Sequence, residues 1–112
     1  MSMEQPPEKL YYSIGEVAAM FGENPSLIRY WEKEFDIIKP LKNKKGNRRF
    51  TQQDIDRIGL VHHYVKERGM TLKGARQKIR ENREDAENAY LVIRSLKQIR
   101  ALLLEIRDNM GE

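Results

Sequence analysis

The chain has 112 residues, of which 34% are charged and 39% hydrophobic; its net charge is +4 and it holds no cysteine. That length suits one domain with an appendage, built on a modest core under much polar surface. The missing cysteine excludes disulfides, cysteine-based zinc sites and thiol catalysis, no apolar run approaches the ~20 residues of a bilayer span, and Met1–Leu10 is too polar for a secretory signal.

The expected setting is the cytoplasm, with no membrane partner. Charge is unevenly spread: residues 1–36 carry −4, residues 37–53 carry +6 without a single acid, and residues 69–85 carry +2. Positive charge therefore sits in one short block.

Residues 1–10, with two prolines and little to bury, read as a flexible tail. Ser13-Ile14-Gly15-Glu16 is a capping box that opens a first helix, and Ile14, Val17, Ala18 and Phe21 form its apolar stripe. Gly22 ends it as a left-handed cap. Asn24 and Pro25 then start a second helix, with Leu27, Ile28, Trp31 and Phe35 facing inward. Two helices joined by a three-residue turn containing glycine make a helix-turn-helix.

Pro40 blocks helix continuation. Residues 37–50 read as a small β-hairpin, or wing, whose tip Asn43-Lys44-Lys45-Gly46 needs a residue at positive φ. Thr51 caps a third helix with Ile55, Ile58, Val61, His62 and Val65 inside, closed by Gly69. Thr71 caps a fourth, with Leu72, Ala75 and Ile79 inside. Residues 82–87 are polar, either a break or a bend. Beyond them Ala89, Val92, Leu96, Ile99, Leu103, Ile106 and Met110 alternate in steps of three and four, the seam of a coiled coil. Ile93 and Leu102 widen that face, and Leu91 and Leu104 also need cover. A helix over 86–109 is roughly 36 Å long. That is more apolar surface than one small domain covers, so self-association is expected in preference to folding back on its own core.

An enzyme needs a constellation, and none emerges. His62 and His63 are neighbours on a helix and point about 100° apart, so they do not share a metal. His62 reads as a partly buried core residue. Asp54 and Asp56 suit a helix start. There is no phosphate loop and no serine elbow. The expectation is a non-enzyme with no cofactor and no metal.

A nucleic-acid reading has its parts. Ser26, Arg29, Tyr30 and Lys33 remain on the outer face of the second helix. Arg29 suits guanine or phosphate, and Ser26 and the Tyr30 hydroxyl suit phosphate. Tyr30 and Trp31 could equally both be core. Lys42, Lys44, Lys45, Arg48 and Arg49 of the wing suit flanking backbone, and Lys73 and Arg76 would extend that grip. Ser13 and Asn47 complete the expected contact set.

The runs Tyr12-Ser13-Ile14-Gly15-Glu16-Val17-Ala18, Ile28-Arg29-Tyr30-Trp31-Glu32, Gly46-Asn47-Arg48-Arg49-Phe50-Thr51, Asp54-Ile55 and Arg68-Gly69-Met70-Thr71-Leu72 together resemble the MerR family of bacterial transcriptional regulators. The resemblance implies a mainly α fold. A flexible tail over 1–10 precedes a winged helix-turn-helix DNA-binding domain over 11–81, with its hairpin wing and helix pair. A dimerisation helix follows over 86–110, pairing as an antiparallel coiled coil. It implies a homodimer that binds a palindromic operator on double-stranded DNA and distorts the promoter, with RNA polymerase as a further partner and the nucleoid as its place. By position Arg29 and Tyr30 match recognition-helix contacts, and Arg48 and Arg49 match wing contacts to the backbone. Trp31 stands where the family often has tyrosine, which leaves packing and contact both open.

The sequence departs from the metal-sensing members in lacking cysteines, and from others in ending at Glu112 without a large ligand-binding domain. The expectation is a short form with no effector domain. Two rival readings share these residues: an architectural or excisionase-like DNA binder, and a protein-interaction module whose heptad helix meets a different chain.

Overall fold

The computed structural model describes residues 9–81 and 83–110, apart from the side chains of 83, 84, 86, 87 and 89. Residues 1–8 of the expected tail, Asn82 in the polar stretch and the Ala89 side chain of the seam lie outside that description.

The first helix, α1 (Ile14–Met20), starts where its capping box closes. Ser13 Oγ accepts from the Glu16 N–H at 3.1 Å, and Glu16 Oε1 accepts from the Ser13 N–H at 2.9 Å. Gly22 takes φ +65°, which turns the chain so that the Glu23 N–H reaches the Ala18 carbonyl at 2.9 Å. Helix α2 (Pro25–Glu34) follows at once. Asn24 supplies its extended N-cap backbone but no side-chain cap bond. Pro25 lessens that loss, because a proline at the first position leaves one fewer N–H to satisfy. Ile28, Trp31 and Phe35 are buried and Leu27 is half-buried, so the expected stripe faces the core.

The wing is a two-stranded antiparallel ribbon, β1 (Leu41–Lys42) and β2 (Arg48–Arg49), with Leu41 opposite Arg49 and Lys42 opposite Arg48. Its tip is organised by Asn43, whose Oδ1 accepts the N–H groups of Lys45 and Asn47, both at 2.9 Å. Gly46 supplies the positive φ, +81°. Tyr12 pairs with Phe50 through two backbone bonds of 2.8 and 2.9 Å, which fastens the chain before α1 to the base of the wing. Phe50 itself is fully buried.

Helix α3 (Gln52–His62) also opens on a capping box. Asp54 is buried, yet its Oδ2 accepts both the N–H and the hydroxyl of Thr51 at 2.9 Å, so that oxygen is hydrogen-bonded. From His63 to Glu67 the chain winds as a π-helical turn, in which the Arg68 N–H reaches back five residues to the His63 carbonyl. Sequence periodicity had no way to show that turn. It makes room for Tyr64 to bury beside α4 (Leu72–Glu81), which contributes Ala75 and Ile79 to the same core. Gly69, at φ +69°, joins the two.

Helix α5 runs over Arg83–Met110, 28 residues, and starts before the expected position 86. Its early turns lie across α3, so α3 is buried on two sides. That fits the burial of Leu60, outside the predicted stripe, as deep as that of Ile58 and Val61. The heptad row is not covered. Val92, Leu96, Ile99, Leu103, Ile106 and Met110 are between 44% and 78% exposed, and Leu102 is 56% exposed. Tyr90, Ile93, Arg94 and Lys97 are the half-buried or ion-paired residues that meet the rest of the chain. Among the described residues no helix is long and apolar enough to cross a membrane.

Candidate nucleic-acid interface

Helix α2 sorts its side chains by the 3.6-residue period. Ile28 and Trp31 turn inward, at 0% and 1% exposure, while Ser26, Arg29, Tyr30 and Lys33 share the outer face. Tyr30 is 46% exposed, which settles the ambiguity between it and Trp31: Trp31 packs and Tyr30 faces solvent. Arg29 and Lys33 form no ion pair among the described residues. One face of one helix thus carries a fork donor, an ammonium and two hydroxyls.

The wing stands beside this helix, and Glu32 of α2 holds it there. Glu32 accepts from Lys42 Nζ at 2.9 Å and from Arg48 Nε, and its side chain is only 12% exposed. Burial opposes ionisation of Glu32, but the bonds from Arg48 and Lys42 outweigh it and hold the carboxyl below the usual carboxylate range. Two of the cations expected to meet a phosphate backbone thus also pair with Glu32, Arg48 largely buried and Lys42 half exposed. Arg48, at 19% exposure, is a strut between wing and helix. Lys44 and Lys45 at the tip remain exposed and unpaired among the described residues.

Tyr11, Tyr12, Ser13, Asn43, Asn47, Arg48 and Arg49 line an open groove between the start of α1 and the wing. Arg49 lies 6.0 Å from the Tyr11 ring centroid, a cation–π distance. The expected residues Ser13, Asn47, Arg48 and Arg49 are thus brought together. Tyr11 and Asn43 line the same groove and were not in the expected set. Their signal was faint, an aromatic two residues before the helix cap Ser13 and an Asn directly before Lys44-Lys45. On α4, Lys73 is exposed, whereas Arg76 is bonded to Glu34 at 2.7 Å and ties α4 to the end of α2.

His62 behaves as read. Its ring lies 5.3 Å from Phe21 and 6.1 Å from Trp31, and its Nε2 is 3.2 Å from Glu23 Oε2, which fastens α3 to the helix-turn-helix corner. No cluster of three or more metal-ligating side chains occurs among the described residues.

Two helices meeting at a glycine corner, with a strut-held ribbon at their flank, place this chain among the winged helix-turn-helix proteins. Residues 12–82 match the MerR HTH family of regulatory proteins, and the chain belongs to that family. It is 29% identical over 79 residues to the HTH-type transcriptional regulator MlrA of Escherichia coli, spanning 70% of this chain and about a third, 32%, of that relative. It is 29% identical over 115 residues to the mercuric resistance operon regulatory protein of Bacillus cereus, across 90% of this chain and 86% of the other. These relatives are regulators, not enzymes. Among solved structures, HiNmlR, a MerR family regulator lacking the sensor domain and bound to promoter DNA, superposes with TM-score 0.53 at 22% identity, covering 88% of this chain and 87% of its own. A MerR family transcriptional regulator from Bacillus thuringiensis superposes with TM-score 0.50 at 26% identity, covering 91% and 89%.

Proposed function

We propose that the protein binds double-stranded DNA as a homodimer at a palindromic operator and regulates transcription by distorting the promoter. The observation that carries this reading is the outer face of α2, with Ser26, Arg29, Tyr30 and Lys33 exposed together beside a basic ribbon. Such a helix fits a major groove, where base edges are distinguishable. Lys44, Lys45 and Arg49 of the wing, with Ser13, Asn47 and Tyr11 in the adjoining groove, grip the flanking phosphates. Lys73 adds a more distant contact. Lys42 and Arg48 act chiefly through Glu32, by setting where the wing stands.

The exposed row Val92, Leu96, Ile99, Leu103, Ile106 and Met110 supplies the dimer. Two copies pairing antiparallel along it place two recognition helices on one side of the duplex, which accounts for a palindrome. The family's relatives named above are regulators, and one fold neighbour is bound to promoter DNA. Both support a promoter target; RNA polymerase is the further partner proposed there, in the cytoplasm where the chromosome lies.

The test is selection of bound duplexes from a random pool at physiological salt, followed by placement of the enriched motif on the source genome. An inverted repeat lying between the two promoter elements is the expected result. Enrichment without a motif, or a motif confined to recombination or repeated sites, replaces this reading with an architectural or excisionase-like one. A chain that stays monomeric at micromolar concentration and selects nothing replaces it with a protein-interaction module.

A further inference from the structure

Helix α3 carries a notch. Gly59, in its middle, is buried, and a β-carbon built there would stand 2.7 Å from Tyr90 Cε1 and closer still to the ring's Cζ and hydroxyl. The Tyr90 ring of α5 therefore seats on bare backbone. Two ion pairs flank this seat. Arg94 bonds Asp56 of α3, and Lys97 Nζ meets Glu67 Oε1 and Oε2 at the end of the π-helical turn, at 2.5 and 2.6 Å. His63 Nδ1, 2.8 Å from Glu67 Oε1, steadies the acceptor.

Positions 90, 94 and 97 lie at i, i+4 and i+7, one face of α5. The apolar row from Val92 to Met110 lies on another. One helix thus attaches to its own DNA-reading unit by the first face and to a second copy by the other. The angle between the two attachments is set by where the Tyr90 ring sits along α3. The attitude of α3 passes to α2 through His62 against Trp31 and Phe21. Two recognition helices must land a fixed distance apart, about one helical turn of DNA or a multiple of it.

We infer that the Tyr90–Gly59 seat positions the recognition helices relative to the dimer axis, so that Tyr90 governs which half-site spacing the protein accepts. The inference rests on the dimeric DNA-binding reading above. Tyr90 touches no DNA in this scheme; it is a positioning residue. The flanking ion pairs hold the helix down but leave it free to slide, because long charged side chains follow their partners. A ring in a one-residue notch does not slide. Alanine in place of Gly59 would close the notch, and loss of the ring would leave α5 without that seat, its flanking ion pairs still in place.

The experiment uses the full chain and duplexes carrying the selected palindrome with its half-sites moved one base pair closer or further apart. Affinities are measured by fluorescence anisotropy for the wild type, Tyr90→Phe, Tyr90→Ala, Gly59→Ala and the double variant. The wild type should lose about tenfold or more per base pair of misplacement, the order of one forfeited base contact. Tyr90→Phe should match it, since the ring fills the notch. Tyr90→Ala should discriminate by less than about threefold while its dimerisation and its affinity for a single half-site are unchanged. Gly59→Ala should weaken binding at the native spacing, and Tyr90→Ala in the same chain should recover part of it.

A folded, dimeric Tyr90→Ala that keeps the wild-type spacing preference overturns the inference. Should Tyr90→Ala unfold, Tyr90→Leu takes its place with the same two outcomes. A wild type indifferent to spacing also overturns it. If that wild type binds one half-site as tightly as two, the dimeric reading falls with it.

Discussion

Replacing Glu32 should move stability and salt-dependent DNA affinity in opposite directions. Glu32 is 12% exposed and takes a charge-assisted bond from Arg48, itself 19% exposed. A bond to a charged group contributes about 1.5–3 kcal/mol when buried, and the lower end applies to a pair that water still reaches. The second bond, from Lys42, belongs to a side chain 49% exposed and adds only a few tenths. Glu32→Ala therefore destabilises by about 2 kcal/mol, and Glu32→Gln, which keeps a neutral acceptor, by about 1 kcal/mol. In a domain of this size each kcal/mol lowers Tm by about 4 °C.

Over the same substitutions the wing loses its tether and both cations become available to phosphate. The slope of log affinity against log salt should steepen by about 1–2, at ~0.9 per phosphate neutralised. Non-specific affinity rises and the ratio of specific to non-specific binding falls. Differential scanning calorimetry and a salt titration with operator and random duplexes give both numbers. An unchanged Tm together with an unchanged or shallower salt slope would refute the strut.

Arg29→Ala should weaken specific binding by about ten- to a hundredfold, the worth of one base-reading contact, with little change on random DNA; competition titration checks it. Lys44→Ala and Lys45→Ala should instead weaken all sequences alike and reduce the salt slope by about one each. Ile99→Asp should place a carboxylate in the middle of the exposed row and shift a dimer to monomer in sedimentation equilibrium, without lowering helical content of the remaining fold. Glu32 and Glu67 both ionise below the ordinary carboxylate value of 4.5, Glu67 chiefly through Lys97 and Glu32 through Arg48 and Lys42 against its burial. A depressed carboxylate stabilises in full above its unfolded value and loses that contribution as pH falls through its folded one. Stepped-pH melts should therefore show these contributions intact at neutral pH and lost below 4.5, with a shallower acid limb in Glu32→Gln.

The helix-turn-helix and the wing were legible because their signals act within a few residues. Ser13 with Glu16 and Thr51 with Asp54 close bonds three positions apart. Gly22, Gly46 and Gly69 take the left-handed turns that other residues resist. The heptad row needed only its own spacing. The rest was decided in three dimensions. Arg48 was read from its neighbours as a hand for phosphate; that Glu32, 16 residues earlier, also holds it was not legible there. Periodicity turned Trp31 inward and Tyr30 outward but left open that both were core; in the fold Trp31 packs against His62, far along the chain, and Tyr30 stays exposed. The second buried side of α3 and the Tyr90 seat depend on α5 returning across α3, through contacts such as Asp56 with Arg94, 38 positions apart. A capping box or a glycine turn is local chemistry, written where it acts. Which charge is used up inside the fold, and which remains for a partner, is settled only when distant segments compete for it.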